Sequence, residues 1–281
     1  MFGLFYALVG LGLNLVFGVM RIVNLAHGDF LMLGAFGAYW AFTLLGLHPL
    51  WALLLEVAAF ILLGFPLYHL LVPRLLRSRD PEMLSFVLFF GVSQVIEAVA
   101  IIAFGNTQRS IFAPVFGTQP VSLFGQTFPA AWAVSALVSL AAIAAVYVYL
   151  YRTRLGYATR AIMSNREEAL TSGIRVHRLS ALAFGIGLAL AAAAGVLSPF
   201  MLGSIDPNMG VDITTAAFAI VIIGSLGNPL GTILGGLVYG LSLTLMQTYL
   251  SSWSAMVPYV LLLLILLVKP SGLLAREARH V

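Results

Sequence analysis

Cysteine is absent from the sequence, and lysine occurs once, as Lys269. The first absence excludes disulfides and thiolate metal sites. The second excludes a P-loop nucleotidase, which needs a Gly-Lys-Ser/Thr lysine to neutralise the β/γ-phosphates; Lys269 stands between Val268 and Pro270. No His-Glu-x-x-His involves His27, His48, His69, His177 or His280, and no Gly-x-Ser-x-Gly occurs. The usual zinc-protease and serine-hydrolase arrangements are therefore missing, and no catalytic residue, metal or cofactor is expected. Charge is scarce too. Only 9% of residues are charged, against about 25% in soluble domains. Asp, Glu, Lys, Arg and His are all missing over the 56 residues from Ile213 to Val268 and the 42 from Ser110 to Tyr151.

What fills these gaps is apolar. Hydrophobic residues make up 61% of the 281, and mean hydropathy is +1.04. A soluble fold of this length could not hide so much apolar surface, so lipid is the solvent. A spanning helix takes about 20 apolar residues, and the runs are continuous rather than alternating, which favours helices over a barrel. The expected fold is an all-α polytopic bundle of about eight or nine spans, near 3–20, 30–46, 50–72, 83–104, 129–151, 179–201, 211–226, 231–250 and 255–268. Two of these, 211–226 and 255–268, are short enough to be tilted, broken or re-entrant. Residues 1–20 lack a basic n-region and an Ala-x-Ala exit, so they read as the first span rather than a signal peptide.

Arginine and lysine favour short cytoplasmic loops. With the N-terminus outside, Arg21, Arg74, Arg77, Arg79, Arg152, Arg154, Arg160, Arg166, Arg175, Arg178, Lys269, Arg276 and Arg279 fall inside and only Arg109 outside. The pI near 9.6 therefore reflects membrane flanks and not a nucleic-acid partner. The chain reads as one transmembrane domain, 1–281, with its longest inner loop at about 152–178 and a folded outer loop at about 105–128.

Three stretches carry polar or special residues. In "RIVNLAHGDF" one reading is a turn, with Gly28 bending and Asp29 capping the next helix. The other is a helix break lining the path, with Asn24 and His27 holding the irregular backbone, which is tolerated at membrane depth only inside protein or a wet cavity. Glu97, within an apolar span, is a candidate for the same path or for proton coupling, since a carboxylate there costs about 2.5–3.5 kcal/mol on insertion scales; Glu56 reads as interfacial. In "SNREEALTSG", Ser164 and Glu167 form a capping box, Glu168 favours the helix dipole, and Gly173 suits the C′ position. That predicts a two-turn extramembrane helix from Asn165 to Ser172, with Ala169 inside it. In "GSLGNPLGTILGGLVYG", Gly227 belongs to a break, and Gly231, Gly235 and Gly236 let helices approach closely.

Taken together, "GLNLVFGVMRIVNLAHGDFLMLGAF", "GYATRAIMSNREEALTSGI", "AAAAGVL" and "IGSLGNPLGTILGGLVYG" resemble the permease subunit of the branched-chain amino acid ABC importers, the LivH type, over about Tyr6 to Leu273. The chain begins closer to its first span than is usual in that family. The resemblance implies a translocation path for branched-chain or related amino acids in a bacterial or archaeal cytoplasmic membrane. It also implies a coupling helix at 165–172 that docks on an ATPase subunit. The implied partners are a second homologous permease subunit, two ABC ATPase subunits, an external solute-binding protein and membrane lipid. Substrates of related permeases include urea and short amides. Readings from other classes are a secondary transporter using Glu97 or Asp29 and a passive channel for a small neutral solute.

Overall fold

The computed structural model describes residues 1–111, 115–117, 119–123 and 125–274; Arg276, Arg279 and His280 lie outside the described residues. Helices follow the apolar runs. α1 (Phe2–Met20), α2 (His27–Leu45), α3 (Pro49–Leu75), α4 (Pro81–Phe104) and α5 (Ala130–Arg152) form the first part. α6 (Arg154–Ser164) and α7 (Arg166–Thr171) follow as a connecting pair. α8 (Val176–Leu202), α9 (Met209–Gly224), α10 (Pro229–Tyr249) and α11 (Val257–Val268) complete the bundle. Between α4 and α5 lies a short antiparallel hairpin, β1 (Val121–Leu123) with β2 (Gln126–Phe128). Among the described residues, eight helical stretches are long and apolar enough to cross a membrane; α9 is a shorter apolar helix, and a 3₁₀ turn, Ser251–Met256, leads into α11. Helix ends fall within three residues of those expected from sequence.

The core is built on α1 and α8, the two most enclosed helices. Small residues bring their backbones together: a side chain at Gly12 would meet the Gly187 carbonyl at 2.7 Å. α3 packs on α8 and α10 packs on α1. Gly64 faces Gly185 in the first contact, while Gly236 faces Ala7 and Gly240 faces Gly3 in the second. Gly231 and Gly235 press on the Gly224 and Ile220 backbones of α9.

This arrangement is an internal repeat of opposite orientation. α1 runs from Phe2, beside Trp132 at the start of α5, to Gly18, beside Met163 of α6. It therefore ends at the arginine-rich side of the bundle. α8 begins at that side, next to α7, and ends near the Arg109–Ile205 bridge on the other. Each is followed by a break, a second helix, and a third that opens with a cap and a proline. His48-Pro49-Leu50 starts α3, with His48 accepting from the Leu50 amide; Asn228-Pro229-Leu230 starts α10, with Asn228 accepting from the Leu230 amide. The third helix of each half packs on the first helix of the other.

Candidate translocation site

The site lies where the two breaks meet. After Met20 the chain leaves α1 through Arg21, which is exposed and left-handed at φ 55. Residues 22–26 then climb back along α1. His27 Nε2 donates to the Val9 carbonyl at 2.9 Å, and Val9 stands about 16 Å from Met20 at 1.5 Å per residue. Six extended residues reach about 20 Å, so the segment has the length to make this return. α2 thus begins at mid-depth rather than at the membrane surface.

The irregular backbone is satisfied from several sides, as a non-helical segment inside lipid requires. The Val23 amide donates to Ser85 Oγ of α4 at 3.0 Å. Thr214 Oγ1 of α9 donates to the Leu25 carbonyl and accepts from the Gly28 amide, at 3.1 and 2.8 Å. Asn24 Oδ1 accepts from the Ala26 amide at 3.1 Å, and the His27 amide donates to the Asn24 carbonyl. The second break repeats this turn: the Asn208 amide donates to Asp206 Oδ1 at 2.9 Å, and the Met209 amide donates to the Asp206 carbonyl. α2 and α9 therefore start alike and touch at their first turns. A Cβ on Gly28 would fall 1.9 Å from the Gly210 carbonyl oxygen, and one on Gly210 would fall 2.1 Å from Asp29 Oδ1. No side chain fits at Gly28, and one at Gly210 would displace the Asp29 carboxylate.

Asn24, His27, Gly28 and Asp29 are all buried here. Asn24 Nδ2, His27 Nδ1 and both Asp29 carboxylate oxygens lack a hydrogen-bond partner. One expectation needs correcting. Asp29 does not cap α2; Ala26 holds the N-cap position, and Asp29 sits inside the first turn with its carboxylate turned onto Gly210. Glu97 is half-buried on α4 and accepts from Gln94 Nε2 at 3.4 Å, with the buried Ser93 one turn before it. Glu56, expected at the interface, has its carboxylate against Gly37 of α2, and neither oxygen has a partner.

At the arginine-rich side the second half has its own polar lock, which sequence reasoning missed. Asn14, fully buried in α1, donates from Nδ2 to the Asn228 carbonyl at 2.9 Å and to Thr232 Oγ1, and its Oδ1 accepts from the Gly227 amide at 2.6 Å. Gly227 is left-handed, φ 76, and lies beside Gly18, which Met163 of α6 also contacts.

The connecting pair is exposed beside this lock. The capping box falls one residue later than expected. Ser164 ends α6, and Asn165 caps α7, its Oδ1 accepting from the Glu167 and Glu168 amides while its Nδ2 donates to Glu168 at 2.8 Å. Asn165 wins because an amide can accept from the helix and donate to the third-position glutamate at once. The helix spans Arg166–Thr171, slightly shorter than predicted. It ends in a Schellman turn: Gly173, φ 78, donates to Leu170 and Ile174 donates to Ala169. Ala169 is buried, while Glu167, Glu168 and Leu170 point outward.

Residues 1–266 match the family model described as branched-chain amino acid transport system / permease component. The chain belongs to this permease family. The high-affinity branched-chain amino acid transport system permease protein LivH of Escherichia coli is 30% identical over 96% of this chain and 91% of its own. BraD of Pseudomonas aeruginosa, a permease protein of the same description, is 29% identical over 96% and 92%. The corresponding LivM of Escherichia coli is 26% identical over 96% of this chain and 67% of its own. No solved structure matches. The permease is thus a multi-pass protein of the cell inner membrane and the permease component of a branched-chain amino acid ABC transport system.

Proposed function

We propose that this permease lines the translocation path with the break at residues 21–26, working beside a second, homologous permease subunit. The observation that carries this reading is a non-helical segment at mid-depth that leads into the first turn of α2, where Asn24, His27 and Asp29 are buried with unpartnered atoms. Such groups are costly in lipid and are kept where a path needs them. Broken helices of this kind supply polar groups to solutes in other transporters. Glu97 extends the acidic lining onto α4. Gly227, Gly231, Gly235 and Gly236 act in packing, holding α10 against α9 and α1. The residues 1–281 form one domain with a cytoplasmic coupling loop at about 152–178.

The chain is a non-catalytic subunit, and ATP hydrolysis belongs to two partner ATPase chains. The coupling surface is α7 with Ser164, Asn165, Glu167, Glu168, Ala169 and Gly173, because a six-residue helix with defined caps and an outward Leu170 needs a partner to be stable. An external solute-binding protein delivers the amino acid to the opposite side. The test is uptake by the assembled transporter in proteoliposomes. Import that proceeds without ATP would overturn this reading in favour of a channel or secondary transporter. Ser78→Cys and Ser164→Cys are expected to label only from the cytoplasmic side, and external labelling of both would reverse the orientation.

A further inference from the structure

The loop after α4 lies outside the repeated helices, yet it is bound to both halves. Arg109 exchanges two backbone hydrogen bonds with Ile205, at 2.8 and 2.9 Å. Asn208 Nδ2 donates to Asn106 Oδ1 at 2.9 Å. These contacts tie the loop to the link between α8 and α9, the second break. On the first half, His48 Nδ1 accepts from the Leu50 amide, so Nε2 carries the proton and donates to the Val115 carbonyl at 3.2 Å. Phe116 stands edge-on to His48 and to Phe200 of α8, with ring centroids 5.6 and 4.8 Å apart.

The tie between loop and link is built to release. It consists of hydrogen bonds that water can replace. Both of its sides leave a helix through a left-handed glycine, Gly105 after α4 at φ 77 and Gly203 after α8 at φ 85. No atom lies within 4 Å of the place a Cβ would take on either glycine, so both can change their dihedrals without a collision. Helix-terminal residues are where hinges absorb such changes. Arg109 also limits how stable the tied state is. Its guanidinium carbon stands 6.0 Å from the Tyr39 and Trp40 rings of α2, and Nη2 donates to the Phe104 carbonyl. Arg109 Nε and Trp40 Nε1 are nevertheless buried without an acceptor, which destabilises this state.

Position gives the tie its meaning. The link runs directly into α9, whose Gly210 lies against Gly28 and the Asp29 carboxylate in the first turn of α2. While the tie holds, the start of α9 is kept against the first break. Release of the link frees it to part from α2.

We propose that Asn106, Arg109, Ile205 and Asn208 form an external clasp that must open for the amino acid to reach the first break from the outer side. This rests on the permease reading and adds where the path is shut. The chain has no native cysteine, so the clasp can be locked. Asn106→Cys and Asn208→Cys are introduced together into the assembled transporter in proteoliposomes. Leucine import is measured before and after ethylene bis-methanethiosulfonate, which joins two thiols and is removed by dithiothreitol. Mass spectrometry gives the fraction of chains cross-linked. The unlinked variant should import, since both backbone bonds remain. Import should then fall in proportion to the cross-linked fraction and return on reduction, while neither single-cysteine variant loses import with the reagent. A second lock is Arg109→Cys with Ile205→Cys. Residues that exchange both backbone bonds have Cα atoms about 5.5 Å apart, within reach of a disulfide. Oxidation should stop import and reduction restore it. A contact that is only structural would be indifferent to either lock. Full import through a locked complex, failure of the Asn106→Cys and Asn208→Cys pair to cross-link, loss of import before cross-linking, or equal loss in the single variants would each overturn the clasp. Failure of the unsubstituted complex to import any amino acid would instead overturn the permease reading itself.

Discussion

The breaks after α1 and after α8 are built on one plan and furnished differently. Both use an Asx-type turn, Asn24 in the first and Asp206 in the second, and both start a helix whose second residue is glycine. Yet the first turn is buried, with a histidine and an aspartate behind it. The second lies nearer the surface: Asn208 is exposed and reaches Asn106 at 2.9 Å, and Ile205 pairs with Arg109. Repetition supplies a symmetric scaffold. The proposed path uses one copy only, and it is this copy that carries the buried unpartnered polar groups, each destabilising by about 1–3 kcal/mol.

The comparison can be broken most severely at the shared contact. Gly28→Val should abolish accumulation of folded permease, or shift its thermal unfolding sharply, because overpacking of this kind costs about 1–3 kcal/mol or more even where neighbours can yield; here the neighbour is the Gly210 backbone. Fluorescence-detected size exclusion would read it. Asn14→Leu, which strips several buried bonds from the second half, should cost about 1–3 kcal/mol by leaving the Gly227 amide unmet, while the Asn228 carbonyl keeps the Thr232 amide; a thermal shift of only a degree or two would contradict the lock.

The next two predictions separate the breaks by function. Asn24→Ala and His27→Ala should assemble but import at least about tenfold more slowly, equivalent to roughly 1.4 kcal/mol on the barrier. Asp206→Ala removes the matching Asx-type turn, a hydrogen bond worth about 1 kcal/mol, and should leave import within about twofold. Equal losses from both breaks would erase the distinction. The smallest effect on stability is expected at the coupling loop. Gly173→Val forces a β-branched residue to φ 78 and should cost about 1 kcal/mol or somewhat more, with no clash around it. Import should nonetheless fall if α7 docks on the ATPase, and ATPase co-purification checks this.

The spans were legible because hydropathy is a long, redundant signal. The α7 caps were nearly so: the Ser-Asn pair offered two competent N-cap residues, and only tertiary geometry chose Asn165. Asp29 misled because an acidic residue at a helix start reads as a cap, while its burial against Gly210 depends on a helix 180 residues away in sequence. Depth was hidden, since a sequence carries no coordinate along the membrane normal; only the His27–Val9 bond places the break. Ser85, Ser93 and Thr214 went unnoticed as isolated hydroxyls among apolar residues. The repeat did leave a trace. Gly10-Leu11-Gly12-Leu13 in α1 and Gly185-Ile186-Gly187-Leu188 in α8 share a pattern that a search for self-similarity would have found.

At Gly18, three parts of the chain meet in one notch: α1, the α9–α10 link at Gly227, and Met163 of α6. A bulky, branched residue in place of Met163 would weld them. Methionine, with an unbranched thioether able to change shape as it slides, makes the notch a greased bearing. The α6–α7 arm thus meets α1 and the α9–α10 link through one adaptable apolar side chain rather than through a rigid one.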